Sequence, residues 1–282
     1  MKIKPVSLVQ RISHQLSSHF DKSESKAIAM MLLQEFLSLD RAKLIINDEL
    51  DVAENILLLL DQVVDRLNKH EPVQHIIGKG HFYGRDFKVG PDVLIPRPET
   101  EELVDLITRN HREQTFKLID IGTGTGCIPI TLSLELEGCQ ATGVDVSEQA
   151  LAIAKLNANQ LRAAVNFLEL DILNEVPAGT YDVVVSNPPY ITHAEKKLMH
   201  ENVLQYEPGL ALFVPDEQPL LFYERITSLC QSILKPGGFL YFEINEHFGE
   251  QTLALLDQGG FTGTRLIEDL SGKHRIIMGR KP

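Results

Sequence analysis

The sequence predicts an α/β fold in which a seven-stranded, mostly parallel sheet carries helices on both faces, behind a small all-α N-terminal domain and a β-hairpin linker. Three observations lead to this expectation. Apolar residues recur at helical spacing through residues 1–72. Glycine and proline punctuate short strand-like segments through residues 73–96. β-Branched runs then alternate with helical patterns through residues 97–282, so we expect three regions with these bounds.

The composition narrows the classes of protein to which the chain can belong. Of its 282 residues 43% are apolar, enough for a full core. The formal net charge of −12 argues against direct nucleic-acid binding, which needs a basic face to displace counterions from phosphates. Three scattered cysteines fit a reducing cytoplasm better than a disulfide framework or a metal site. We see no signal peptide and no apolar run long enough for a membrane helix, and we expect a cytoplasmic monomer without a resident metal.

Residues 1–72 have the spacing of a small helical bundle. Leu8, Ile12 and Leu16 follow one another at i, i+4, so their side chains share one helix face. Asp40 is a candidate N-cap for a short helix that ends near Asn47. The bundle contains no pattern with chemistry of its own, so we expect it to serve in packing or in docking a partner.

A proline-rich segment, Pro96-Arg97-Pro98, follows the expected hairpin linker. Pro98 can open a helix, and Glu99 and Glu101 complement the positive end of that helix. Two prolines around one arginine are more rigid than a linker requires, because each proline fixes its φ angle. We therefore expect Pro96 and Arg97 to form a wall of a binding site.

A glycine-rich loop follows Lys117–Ile121, the first strand expected in the α/β region. The loop reads Gly122-Thr123-Gly124-Thr125-Gly126, and glycines at alternate positions let the backbone turn sharply and approach a ligand closely. It is not the dinucleotide fingerprint G-x-G-x-x-G, because Cys127 and Pro129 stand where that fingerprint needs a glycine. The loop predicts a ligand site of a different kind.

Three carboxylates lie at the ends of three successive predicted strands. Asp120 is at the end of the first strand, Asp145 follows Ala141–Val144, and Asp171 follows Val165–Leu170. Each of them alone could be an ordinary loop residue or helix cap. Because the carboxyl ends of parallel strands meet at one edge of a sheet, the repetition favours a shared binding site.

The fourth predicted strand ends in the turn Asn187-Pro188-Pro189-Tyr190. Val183–Val185 form a buried apolar run, and the two prolines stop the strand, so Asn187 is expected where parallel sheets bind ligands. The Asn187 side-chain oxygen and a proline carbonyl are acceptors that could hold a planar NH2 group, and Tyr190 could stack on it. A plain proline-rich turn is the alternative.

The rest of the pattern completes a Rossmann-like sheet. A turn at Lys235–Gly238 precedes a fifth strand, Phe239–Ile244, and two further strands are expected near residues 263–267 and 274–279. The last two form a hairpin, which places the final strand antiparallel to the others. This order of seven strands differs from the usual six-stranded dinucleotide fold.

These motifs resemble those of class I S-adenosylmethionine methyltransferases. Over essentially its full length the chain resembles the peptide chain release factor glutamine methyltransferases, the HemK/PrmC family. The segments that support this resemblance are Ile95–Glu101, Asp120–Gly126, Asp145, Asn187–Tyr190, and Glu207-Pro208 with Ala211-Leu212. The Pro-Arg-Pro-Glu-Thr-Glu segment distinguishes this family from other methyltransferases. Ile172 is a departure, because some members carry an aromatic residue there, over the adenine.

The resemblance implies N5-methylation of the glutamine in the Gly-Gly-Gln motif of class 1 release factors, with S-adenosylmethionine as cofactor and methyl donor. It implies cofactor contacts from Pro96, Arg97, Asp120, Gly122, Thr123, Gly124, Thr125, Gly126, Asp145, Asp171, Ile172 and Asn187. It implies substrate binding by Asn187, Pro188, Pro189 and Tyr190, with Asn187, Pro188 and Tyr190 as the catalytic residues.

Two alternative functions remain at this point. An N6-adenine nucleic-acid methyltransferase uses the same tetrapeptide, but the acidic charge and the lack of a basic target-recognition segment argue against it. A non-catalytic scaffold that only binds the cofactor is the second alternative, and the intact Asn187–Tyr190 turn argues against it.

Overall fold

The structure, a computed structural model, describes residues 1–45 and 48–282 and divides into two units. The first unit comprises Met1–Gly78 together with His200–Tyr206, and the second comprises Lys79–Met199 together with Glu207–Pro282. This grouping is coarser than the predicted division at residues 72 and 96, which stays a prediction.

The described residues form helices and strands that alternate from the middle of the chain onward. In chain order they are β1 (Lys2–Ile3), α1 (Pro5–Leu16), α2 (Lys22–Leu37), α3 (Arg41–Ile45), β2 (Leu50–Asp51), α4 (Glu54–Leu67), α5 (Val73–Ile77), β3 (Lys79–Phe82), β4 (Arg85–Lys88), α6 (Pro98–His111), β5 (Phe116–Ile121), α7 (Cys127–Glu135), β6 (Cys139–Asp145), α8 (Glu148–Leu161), β7 (Val165–Glu169), β8 (Tyr181–Ser186), β9 (Ile191–Thr192), α9 (Glu201–Tyr206), β10 (Phe213–Val214), α10 (Leu221–Ile233), β11 (Leu234–Glu243), α11 (Gly249–Gln258), β12 (Thr262–Glu268) and β13 (His274–Arg280). Short 3₁₀ turns occupy Ala194–Leu198, Gly209–Ala211 and Glu246–Phe248.

The first unit is a helical bundle around an apolar core. Leu8, Ile12 and Leu16 of α1 are fully buried, as their spacing predicts. The Asp40 side chain accepts from the backbone N–H of Lys43 at 2.7 Å, which confirms its capping role. The predicted helix end near Asn47 lies outside the described residues. Helix α9 belongs to this unit, and the Tyr206 hydroxyl donates to the Lys69 carbonyl at 2.9 Å.

The second unit is built on a seven-stranded sheet of order β12-β13-β11-β8-β5-β6-β7. Strands β11, β8, β5, β6 and β7 run parallel to one another. Strand β13 pairs antiparallel with both β11 and β12, so the predicted antiparallel final strand is confirmed. Apolar cores cover both faces of the sheet, since the successive β8 residues Val183 and Val184 belong to different clusters. The predicted α/β fold class is confirmed.

The hairpin β3–β4 packs as part of the second unit. Phe82 and Phe87 are fully buried, with their rings 5.9 Å apart in an edge-to-face arrangement. Both belong to the core cluster that contains Leu103 and Ile107 of α6. The predicted hairpin is therefore present, and its two phenylalanines contribute to the core.

Strand β11 begins earlier than predicted. The predicted turn at Lys235–Gly238 lies inside the strand, whose pairing with β8 shifts register between Leu234 and Phe239. Gly237 has φ of +80° and donates to the Lys281 carbonyl at 2.8 Å. The left-handed glycine absorbs the extra residues as an irregularity in the strand, so pairing continues through the segment.

Candidate active site

The sheet register brings the ends of four parallel strands level with one another. Ile121 of β5 is opposite Val144 of β6 and Ser186 of β8, and Ser186 is opposite Phe242 of β11. The residues that follow therefore emerge at one edge: the glycine loop after β5, Asp145 on β6, Asn187 after β8 and Glu243 on β11. This is the edge at which parallel α/β sheets bind ligands.

The glycine loop leaves space next to its backbone because glycines occupy its turns. Gly122 and Gly124 have φ of +76° and +53°, and a Cβ atom at either position would meet nothing within 4 Å. Asp145 accepts from the backbone N–H of Gly124 at 2.9 Å, and its other oxygen accepts from the Ser147 N–H at 3.0 Å. Burial raises the pKa of Asp145, and these backbone donors oppose that shift. The loop thus leaves free space above two bare backbone positions.

Gly126 has a packing role in this loop. A Cβ there would lie 2.9 Å from Ile130 Cδ1 and 3.2 Å from Ala154 Cβ, so a larger residue would push the loop away from α7 and α8. The Asn157 side-chain amide of α8 donates to the Thr125 carbonyl at 2.9 Å and to the Lys88 carbonyl at 3.1 Å. Asn157 therefore joins the loop to the hairpin strand β4.

Asp120 lies underneath the loop and is completely buried. The Thr123 hydroxyl donates to its Oδ2 at 2.6 Å, whereas its Oδ1 has no hydrogen-bond partner among the described residues. Burial raises the pKa of Asp120 to about 7, and the Thr123 hydrogen bond opposes the shift. The structure thus places Asp120 as a support of the loop, with one buried oxygen still able to accept.

The Asn187–Tyr190 turn is connected to α6 and β11 by hydrogen bonds. Asn187 Nδ2 donates to the Thr100 hydroxyl at 3.4 Å, and that hydroxyl donates to Glu243 Oε2 at 2.6 Å. The Tyr190 hydroxyl donates to Glu243 Oε1 at 3.4 Å. Burial raises the pKa of Glu243, which is 2% exposed, and also raises the pKa of Tyr190, so the phenol keeps its proton. Glu243 therefore accepts directly from Tyr190 and is linked to Asn187 through the Thr100 hydroxyl.

Arg97 is tied down by a second buried carboxylate. Its Nη2 lies 2.5 Å from Glu207 Oε1, and the Ile95 backbone N–H donates to Glu207 Oε2 at 3.0 Å. The Glu207 carboxylate is almost inaccessible, whereas Arg97 is about one-third exposed. This pair fastens the proline-rich segment to the loop at Glu207-Pro208, and both walls face the same cavity.

Asp171 uses both oxygens locally. It accepts from the Leu173 N–H at 3.0 Å and from the Asn174 side-chain amide at 2.7 Å, which shapes the turn after β7. Asp171 and the buried Ile172 both line the cavity. Arg225 of α10 donates to the Ile172 carbonyl at 2.8 Å and so fixes the backbone there.

A cavity of about 350 Å³ opens between these segments. The predicted site residues that line it are Pro96, Arg97, Gly122, Thr123, Gly124, Thr125, Asp145, Asp171, Ile172, Asn187, Pro188 and Pro189. Three other predicted site residues, Asp120, Gly126 and Tyr190, are not among the residues that line it.

Sequence reasoning assigned no role to Thr100, Glu207 or Glu243. Glu243 had a visible signal, because it is the only charged residue in the run Phe239–Ile244. A lone acid in a strand that is otherwise apolar indicates a special environment. Thr100 lies in the first turn of a helix between glutamates and carries no such signal.

Comparisons with known proteins agree with this architecture. A family model described as methyltransferase small domain matches residues 99–207, and one described as PrmC N-terminal domain matches residues 7–78. The chain is similar in fold to a methyltransferase from Pyrococcus furiosus, with TM-score 0.54 and 17% identity over 78% of this chain and 98% of that one.

Curated relatives are more similar in sequence. A release factor glutamine methyltransferase from Bacteroides thetaiotaomicron is 42% identical over 94% of this chain and 96% of its own length. One from Bacillus subtilis is 36% identical over 90% of each chain.

The sheet order, the glycine loop and the matching domain define the class of the protein as an S-adenosylmethionine-dependent methyltransferase. Its sequence places it more narrowly. The chain belongs to the release factor glutamine methyltransferase family, because full-length similarity at 42% identity accompanies both family domains.

The residues present fit the methyl donor. Gly122 and Gly124 leave room for a ligand against the backbone, and Asp145 is a carboxylate acceptor on the cavity wall. The unpaired Oδ1 of Asp120, beneath the loop, can still accept a hydrogen bond, which suits a donor that carries an ammonium group. Among the described residues, no helix combines the length and apolar character that a bilayer crossing needs.

Proposed function

We propose that the chain transfers a methyl group from S-adenosylmethionine to the side-chain amide nitrogen of the glutamine in the Gly-Gly-Gln motif of class 1 release factors. The observation that carries this proposal is Asn187 at the end of β8, in the wall of the same cavity as the glycine loop. The names of the relatives give the substrate class, and an acceptor side chain at this position suits an NH2 group.

The chain's own groups act mainly by positioning. Asn187 Oδ1 and the Pro188 carbonyl would each accept one N–H of the substrate amide and fix the direction of its nitrogen. They would also stabilise the positive charge that develops on nitrogen as the new N–C bond forms. Tyr190 would flank the amide.

When bound, S-adenosylmethionine supplies an electrophilic methyl group on a sulfonium sulfur. We propose that Asp145 accepts from the ribose hydroxyls, that Asp171 accepts from the adenine amino group, and that Ile172 covers the adenine ring. The remaining predicted contacts, from the glycine loop and from Pro96 and Arg97, enclose the same ligand. No general base is needed before attack, because the amide nitrogen becomes acidic only after it is methylated and then loses its proton to water.

The test is transfer of labelled methyl from S-adenosylmethionine to three acceptors: purified release factor, its variant with Gly-Gly-Ala in place of Gly-Gly-Gln, and DNA. We expect label on the wild-type factor alone. Label on DNA would instead support an adenine enzyme, and no label on any acceptor would support a cofactor-binding scaffold. The acidic net charge leads us to propose that the chain does not bind nucleic acid directly, and we propose that it acts as a cytoplasmic monomer.

We further propose that the helical unit docks the release factor. A separate family domain covers residues 7–78, and α4 of this unit exposes Leu58 at 59% beside Leu59 at 36%. Leu58→Asp should weaken the affinity for release factor severalfold and leave the affinity for S-adenosylmethionine unchanged. Titration calorimetry with each ligand measures both values, and an unchanged affinity for release factor would exclude Leu58 from the docking surface.

A further inference from the structure

Glu243 lies between two apolar residues in the sequence. Its neighbours Phe242 and Ile244 are fully buried, and Glu243 itself is 2% exposed. Burying a carboxylate opposes folding unless donors compensate it, and burial raises the pKa of Glu243 accordingly. Thr100 and Tyr190 are the donors that reach it. A buried carboxyl group with a shifted pKa beside a ligand cavity is a candidate for a functional role.

The hydroxyl of Thr100 has one proton to donate. The distance from Thr100 Oγ1 to Glu243 Oε2 is 2.6 Å, shorter than usual for a neutral pair, so the proton points at the carboxylate. The hydroxyl can then only accept from its other neighbour, the Asn187 side chain at 3.4 Å. Because only the NH2 arm of that amide can donate, this pairing decides which arm of Asn187 faces Thr100.

We infer that Glu243 and Thr100 are positioning residues for methyl transfer, which fix the Asn187 side chain with its oxygen presented to the substrate amide. This inference rests on the proposed function, in which the Asn187 oxygen holds the glutamine NH2. The order of donation runs from Asn187 to Thr100 to Glu243. Glu243 also accepts from Tyr190, so one carboxylate orients both ends of the Asn187–Tyr190 turn.

A glutamine at position 243 reverses this order. With the amide oxygen accepting from Tyr190 as Oε1 does now, the new NH2 group faces Thr100 and donates to that hydroxyl, which then donates its own proton to Asn187. Asn187 must turn its oxygen toward Thr100 and its NH2 group toward the substrate. The NH2 group of Asn187 would then face the NH2 group of the substrate glutamine, and the substrate would lose its acceptor on Asn187.

The experiment compares Glu243→Gln, Thr100→Val, Thr100→Ser and the double variant Glu243→Gln/Thr100→Val with wild type. We expect kcat with release factor to fall by at least about tenfold in each of the first two variants, because each disturbs one hydrogen bond to a charged group. The KM for release factor and the affinity for S-adenosylmethionine should change less than about threefold, since most binding contacts lie elsewhere. Thr100→Ser keeps the hydroxyl and should restore most of kcat.

The double variant tests whether the residues act as one unit. We expect its kcat to match that of the worse single variant. The hydrogen-bonded chain from Asn187 through Thr100 to Glu243 is already interrupted in each single variant, so the second substitution should add no further loss. Thr108→Val is the matched control. Thr108 lies on the same helix, is 7% exposed, and its hydroxyl has no hydrogen-bond partner in the described part of the chain. Its kcat should stay at the wild-type value.

A spectroscopic measurement separates this inference from the proposed function. The side-chain NH2 resonances of Asn187, recorded by NMR without any release factor, should shift in Glu243→Gln and stay close to wild type in Thr108→Val. Wild-type kcat in Thr100→Val, or losses in kcat that multiply in the double variant, would overturn the inference that Thr100 and Glu243 position Asn187 together. A wild-type enzyme that leaves the release factor glutamine unlabelled would overturn the proposed function, whatever the NMR result.

Discussion

Helix α6 and strand β11 meet at two buried polar contacts that follow one hydrogen-bonding scheme. At one end Asn187 donates to Thr100, which donates to Glu243. At the other end Asn110 donates to the Tyr241 hydroxyl at 3.1 Å, and this hydroxyl lies 3.0 Å from His111 Nε2. When neutral His111 carries its proton on Nδ1, the Tyr241 hydroxyl donates its single proton to Nε2.

The two contacts differ in what lies beside them. Thr100 and Asn187 line the cavity, whereas Asn110, His111 and Tyr241 are outside its lining. At the His111 end the partners are aromatic rings, with Phe116 and Phe239 within 5.3 Å of the imidazole centroid. A hydrogen-bonded chain of this kind therefore does not by itself indicate catalysis. Its position next to a ligand cavity does.

Asn187→Ala gives the largest effect that this comparison predicts. Turnover with release factor should fall on the order of 10²-fold or more, as when one preorganised contact to a developing charge is removed. Asn110→Ala removes the corresponding amide at the other contact and should leave kcat unchanged. Steady-state kinetics on the two variants measures the difference, and equal kcat values would show that the two contacts are equivalent.

Tyr241→Phe should lower the stability and leave kcat unchanged. It leaves the buried His111 nitrogen without its donor, which should lower the free energy of unfolding by about 1–3 kcal/mol. Its kcat at a temperature well below the midpoint should equal that of wild type. Thermal unfolding together with kinetics checks both values, and a loss of kcat at full folding would contradict a purely structural role for Tyr241.

His111 should give the smallest effect, visible only as a pH dependence of stability. Burial lowers the pKa of His111 below the ordinary value of 6.5, and a hydrogen bond that the imidazole donates to the Gln114 side chain opposes that shift. Between the lowered native pKa and 6.5 the unfolded chain binds more protons, so the stability falls as the pH falls through that window. Above it the contribution is complete.

The measurement for this prediction is the difference in unfolding free energy between His111→Gln and wild type at pH 5 and pH 7. The variant should lose less stability than wild type on acidification, because glutamine does not titrate. The pH profile of kcat should be the same for both proteins. A profile that changes with His111 would link this contact to the reaction.

Features that depend on residues adjacent in the chain could be predicted from the sequence. The end of β8 at Ser186 follows from two prolines, and the level ends of the parallel strands follow from where each apolar run stops. Asp145 and Asp171 were placed at the cavity by the same reasoning. Their roles toward the cofactor stay predictions.

Features that depend on contacts across the chain were beyond that reasoning. Thr100 and Glu243 are 143 positions apart, and Ile95 and Glu207 are 112 apart. No local pattern states which distant side chain a given threonine will reach. Asp120 shows the converse, because its position beside the loop was foreseen and its complete burial behind Thr123 was not.

The chain passes between its two units three times, after Gly78, after Met199 and after Tyr206. A gene segment that ends at residue 78 would therefore omit α9, whose Tyr206 hydroxyl bonds to Lys69 and whose Glu201 lies 3.2 Å from His70. The helical unit cannot be exchanged between relatives by a single crossover. Recombination that replaces it must also replace residues 200–206, so the two segments are expected to be inherited together.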